Sequence, residues 1–75
     1  MAVVTLSAVI HREDDLYVAE CPELGTVSQG RTIEEAVANL KEATGLYLEE
    51  QAEPLTVAPA ILTTFSIDTA NAEAA

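Results

Sequence analysis

Apolar and polar positions alternate from the start of the chain. Residues 3 to 10, VVTLSAVI, are β-branched or apolar and carry no charge. A period of two puts Val4, Leu6, Ala8 and Ile10 on one face, which predicts a first strand. The polar run His11-Arg12-Glu13-Asp14-Asp15 reads as a turn, and residues 16 to 21, LYVAEC, as a second strand. So short a link admits only a hairpin, and the two strands run antiparallel. Setting His11 opposite Leu16 places Cys21 opposite Leu6. Pro22 ends the second strand by removing a ladder donor, Gly25 permits a turn, and residues 26 to 29, TVSQ, make a short third strand.

After Gly30 the spacing of apolar residues lengthens to three and four. Thr32-Ile33-Glu34-Glu35 fits a capping box, with the Thr32 hydroxyl taking the Glu35 amide and the Glu35 carboxylate returning to the Thr32 amide. The helix that starts at Ile33 carries Ile33, Ala36, Val37, Leu40, Ala43, Leu46 and Tyr47 as its predicted apolar stripe. Glu34 and Glu35 suit the positive end of the macrodipole, whereas Glu49, Glu50 and Glu53 crowd the negative end. Pro54 closes the helix at or just before Glu53. Gly45 costs about 1 kcal/mol relative to alanine inside a helix, which predicts close packing against it.

Residues 61 to 67, ILTTFSI, set Ile61, Thr63, Phe65 and Ile67 against Leu62, Thr64 and Ser66 and predict a fourth strand. A right-handed crossover returns that strand parallel to the first and beside it. The expected architecture is α+β: a two-layer β-β-β-α-β domain of sheet order 3-2-1-4, with one helix over one face and nothing over the other. Residues 1 to 68 form the single domain and residues 69 to 75 a mobile tail. No internal repeat or low-complexity tract is visible.

Size and charge narrow the function. A chain of 75 residues buries only about 60% of the surface its unfolded form exposes. The lone Cys21 cannot supply an internal disulfide, and no Cys/His spacing suits zinc. Oligomerisation into a dimer or tetramer is the expected support, helped by a fourth strand with no charge or proline to guard its edge. Three basic against thirteen acidic residues leave a formal charge of −10, which repels a phosphate backbone and attracts a cationic partner. Direct nucleic-acid binding is therefore not expected. A hydrophobic share of 49% is too high for an acidic disordered tail. The N-terminal residues lack the basic region and long apolar stretch of a signal peptide or membrane span, so a cytoplasmic, non-membrane protein is expected.

Two stretches at fixed spacing carry a family resemblance. Tyr17-Val18-Ala19-Glu20-Cys21-Pro22-Glu23-Leu24-Gly25, then Ser28-Gln29-Gly30-Arg31-Thr32-Ile33-Glu34-Glu35-Ala36 with Asn39-Leu40, resemble the core of HicB-like antitoxins of type II toxin-antitoxin systems. The resemblance covers roughly residues 3 to 67. It implies a partial ribonuclease-H-like fold that binds and blocks a small, basic, mRNA-cleaving toxin of the HicA type. Many members continue into a helix-turn-helix or ribbon-helix-helix segment that reads operator DNA. Here the sequence ends eight residues after Ile67, and autorepression by this polypeptide alone is not expected.

The motif residues read first as structure: Gly25 and Gly30 for turns, Pro22 for strand termination, Thr32 and Glu35 for capping. A ribonuclease-H-like nuclease needs several carboxylates converging on metal ions, a principal one on its first strand. The first strand here has none, and Glu20 and Asp68 are the only nearby candidates. Glu13-Asp14-Asp15 lacks the alternating ligands and turn glycine of a calcium loop and reads as a solvated hairpin tip. His11 and Cys21 could form a nucleophilic pair only within hydrogen-bond reach, and the expected register separates them by about 17 Å at 3.3 Å per residue. No catalytic residue, metal or cofactor is expected. The expectation is an antitoxin-like binding protein; the alternative is a self-assembling orphan domain without a surviving toxin. Glu13, Asp14, Asp15, Glu20 and Glu23 are the candidate contacts to a basic partner.

Overall fold

The hairpin tip fixes the register of the sheet. The computed structural model describes residues 3–51 and 56–70, in the order β1 (Val9–Glu13), β2 (Leu16–Cys21), β3 (Thr26–Gly30) and α1 (Ile33–Glu49). Only Asp14 and Asp15 make the first turn. Asp14 takes φ 55°, a left-handed conformation that aspartate tolerates better than most residues and that two-residue hairpin loops require. His11, Arg12 and Glu13 therefore belong to β1 and not to the turn.

The pairs are Glu13↔Leu16, His11↔Val18 and Val9↔Glu20, a slip of two residues from the expected register. Because the side-chain period is two, a slip of two leaves every residue on its expected face. Carried one step further, the register sets Cys21 across from Ala8, correcting the expected Leu6. β3 pairs antiparallel with the far edge of β2, from Tyr17↔Gly30 to Cys21↔Thr26. Between them Gly25 adopts φ 80° and its amide donates to the Cys21 carbonyl at 2.7 Å, as the turn reading of Gly25 requires.

Strand one starts later than its sequence pattern. Residues 3 to 8 form no ladder, because β2 ends at Cys21 and Pro22 has no amide to donate. Of the expected face, Leu6, Ala8 and Ile10 pack against the core of Ala19, Cys21, Ala36 and Leu40, whereas Val4 is exposed.

Residues 61 to 67 form no strand. The sheet has three strands in the order β1-β2-β3, and the expected order 3-2-1-4 lacks its fourth member. Ile61, Phe65 and Ile67 remain 93%, 84% and 71% exposed. Alternation specifies which residues would share a face, but a strand also needs a paired edge, and none is engaged here.

The helix begins as expected. Thr32 is its N-cap and its Oγ1 accepts the Glu35 amide at 3.0 Å. The reciprocal bond differs: Glu35 Oε1 accepts the Arg31 amide at 2.6 Å, one residue before the expected Thr32. The helix ends at Glu49 with Glu50 as C-cap. Two acids at the negative end and no basic residue in the last turn disfavour further turns. Residues 52–55, including the expected stop at Glu53 and Pro54, lie outside the described residues, as do residues 71–75 of the expected tail.

The buried line of α1 is Ala36, Leu40 and Thr44, an i, i+4 row, while Ile33, Val37, Leu46 and Tyr47 of the expected stripe are exposed. Three short strands cover only a narrow strip of the helix. Thr44 is accommodated because its hydroxyl meets that of Thr26 at 2.7 Å, so its polar group is not left unsatisfied by burial. Both remaining glycine expectations change. Gly30 is not a turn residue: it is buried at the end of β3, where a Cβ would lie 2.6 Å from the Ala36 nitrogen and 2.9 Å from the Glu35 carbonyl carbon. The helix N-terminus rests directly on it. Among the described residues, Gly45 has no neighbour within 4 Å of where its Cβ would stand, so the expected close packing is not found there.

Candidate partner-binding face

Residues on alternate positions of the sheet point away from α1, and no described element covers them. By pairing, Val9, Glu20 and Val27 form one row across this outer face, and His11, Val18 and Gln29 the next. Val9 is 40% and Val27 55% exposed. The face thus combines apolar side chains with Glu20 near its centre and Glu13 toward the hairpin end, and its strand positions carry neither lysine nor arginine. Asp14 and Asp15 are exposed at the tip. Such a surface can bury valines against a partner while its carboxylates meet cations.

The five sequence candidates separate into two groups. Glu13, Asp14, Asp15 and Glu20 are exposed. Glu13 Oε2 lies 2.9 Å from His11 Nε2, but with the side chains 63% and 52% exposed this pair adds little to stability. Arg12 is partly held within the chain, with its Nε donating to the Asp14 carbonyl at 3.2 Å and its guanidinium 5.9 Å from the Tyr17 ring centre.

Glu23 does something different. Its Oε2 accepts the Ala60 amide at 2.7 Å, and its Oε1 accepts the Ser7 amide at 3.0 Å and the Cys21 thiol at 3.4 Å. Donation from Ala60 and then Ser7 stabilises the charged carboxylate and lowers its pKa from 4.5 to about 2. Both oxygens are committed inside the chain, where Glu23 clasps the segment before β1 to the segment after α1. Sequence reasoning missed this role because the two amides lie 16 and 37 residues away.

A second concave surface lies on the other side of the molecule. Val4, Leu6 and Ala8 form one wall and Val37, Leu40, Thr44 and Leu48 of α1 the other, around a groove of about 610 Å³. Lys41 and Gly45 also border it. The sequence signals for it were Val37 and Leu40 of the expected helix stripe and Val4, Leu6 and Ala8 of the expected strand face.

Among the described residues, the candidate chemical groups lie apart. His11 occupies the outer sheet face and Cys21 the buried inner one, so the sheet itself separates the two. The expected acid-free first strand is corrected, since β1 ends in Glu13; Glu13 and Glu20 stand on the outer face, while Asp68 Oδ1 accepts the Ala70 amide at 2.9 Å. Among the described residues, no group of three or more His, Cys, Asp or Glu side chains could hold a metal ion, and no helix is long and apolar enough to cross a membrane.

The chain is similar to a UPF0150 protein of Helicobacter pylori, with 50% identity over 44 residues. The match covers 57% of this chain and 61% of the relative, so it spans less than two thirds of that protein's length. No family model and no solved structure matches.

Proposed function

We propose that this domain is an antitoxin-like binding protein that neutralises a small, basic, HicA-type mRNA-cleaving toxin by direct contact in the cytoplasm, without catalysis of its own. The observation that carries the reading is the uncovered outer sheet face, where Val9, Val18 and Val27 surround Glu20. A protein that grips RNA must present cations, and carboxylates spaced over an apolar surface can occupy them in place of phosphates. The net charge of −10 favours such an encounter and disfavours direct binding to nucleic acid. The similarity to a UPF0150 protein supports the same reading, because UPF0150 is a HicB-like family. The ribonuclease-H-like architecture implied by the resemblance needs a fourth strand, and only residues 61 to 67 have the pattern to provide it.

Association with a small basic toxin encoded beside this chain tests the proposal. Raising ionic strength from about 10 mM to about 150 mM shortens the Debye length from roughly 30 to 8 Å. The association rate is expected to fall roughly tenfold or more while dissociation changes much less. Glu20→Lys, on an exposed position, is expected to slow association further, and co-expression of the parent chain to rescue growth inhibited by the toxin. A rate indifferent to both salt and Glu20→Lys, or no binding to any neighbouring basic protein, refutes it. The exposed Ile61, Phe65 and Ile67 favour a second reading, a stand-alone homo-oligomeric domain without a surviving toxin.

A further inference from the structure

The chain carries an apolar groove that none of the described residues fills and, separately, an unburied apolar arm. The groove is lined by Val4, Leu6, Val37 and Leu48 and holds about 610 Å³. The arm is residues 61 to 67, whose alternation places Ile61, Phe65 and Ile67 together, all of them more than two thirds exposed. We infer that the arm of one copy lies in the groove of a second copy, so that two chains exchange residues 61 to 67 reciprocally. This does not rest on the toxin reading.

Four features favour this occupant. The first is length. Seven extended residues span about 23 Å at 3.3 Å each, and the helical wall from Val37 to Leu48 is about 17 Å long at 1.5 Å per residue. The second is fit to the wall: Gly45 borders the groove with open space over its Cα, room for a neighbouring backbone that none of the described residues uses. The third is charge. Residues 56 to 70 contain a single charged group, Asp68, and the groove's border includes Lys41, one of only three cations in the chain. The arm can therefore approach a protein of net charge −10 without adding strong repulsion.

The fourth feature is placement. Glu23 holds Ala60 beside Ser7, so the arm departs from a fixed point at the groove's own margin. The radius of gyration is 15.8 Å and the longest extent 52 Å, against about 11 Å expected for the radius of a close-packed chain of this length. An arm anchored at its base and projecting away is poised to reach another molecule. A reciprocal exchange forms a closed two-fold dimer and leaves no free groove to propagate a filament.

Light scattering and mixing experiments decide it, with no toxin present. The parent chain is expected to have twice the 7.9 kDa mass of one chain, and the dimer to tighten as salt rises, since two acidic copies repel each other. Binding to a basic partner weakens with salt, so the two associations are distinguishable by sign. Phe65→Lys on the arm and Val37→Lys on the partly exposed groove wall are each expected to give a folded monomer by circular dichroism. Mixed together, they should restore a heterodimer, because one intact arm then meets one intact groove. A parent chain that is monomeric at micromolar concentration, a dimer that survives both substitutions, or variants that fail to complement each other overturns the inference. A monomer whose residue 65 amide is protected from hydrogen exchange shows instead that the arm closes on its own groove.

Discussion

Gly30→Ala gives the two explanations of this glycine opposite signs. If Gly30 were an ordinary strand position with open space over its Cα, alanine would restrict the unfolded chain and stabilise the fold by about 0.4 to 1 kcal/mol. The structure requires the reverse. The new Cβ would stand 2.6 Å from the Ala36 nitrogen and 2.9 Å from the Glu35 carbonyl carbon, and these are backbone atoms that no rotamer change can move. Relief requires α1 to lift from β3 at the point where Thr32 caps it and Ala36 is fully buried. Overpacking of this kind costs about 1 to 3 kcal/mol. For a domain of this size each kcal/mol lowers the melting temperature by about 4 to 8 °C. Circular dichroism melts and urea denaturation of parent and variant at equal concentration measure the difference. A melting temperature unchanged or raised refutes the close approach, and with it the position assigned to the helix N-terminus.

Two further outcomes follow from hydrogen bonds elsewhere in the fold. Thr32→Ala removes the acceptor of the Glu35 amide and is expected to cost about 0.5 to 2 kcal/mol; coincident denaturation curves would show that the helix does not start at Ile33. Glu23 contributes stability because its folded pKa is lowered to about 2 from 4.5. That contribution is complete above about pH 4.5 and is lost as pH falls toward 2. Glu23→Gln can accept through only one oxygen, so it is expected to be less stable than the parent at neutral pH and equal to it near pH 2. Amide resonances of Ser7 and Ala60 in the parent should titrate with a midpoint near 2, and a midpoint near 4.5 would refute the clasp.

The sequence by itself determined what depends on near neighbours. The period-two run Leu16 to Cys21, the breaker Pro22 and the flexible Gly25 set β2, its end and the turn. The side-chain oxygen of Thr32, placed three residues before the Glu35 amide, set the start of α1. These signals act over a few residues, where local geometry leaves few options. Parity also survived the error in register, since a shift of two residues returned Leu6, Ala8 and Ile10 to the face of the core.

Tertiary structure decided where each pattern finds a partner. Residues 3 to 8 and 61 to 67 have strand composition, but β2 ends too early for the first, and no edge is paired with the second. The narrow sheet buries the Ala36, Leu40 and Thr44 row and leaves Val37 and Tyr47 uncovered, a choice that periodicity along one helix cannot make. Glu23 shows the same limit for the candidate site: as a surface acid it was legible, but its amides come from Ser7 and Ala60. The outer face became visible only once β1, β2 and β3 were in register, because pairing, and not sequence distance, brings Val9, Glu20 and Val27 into one row.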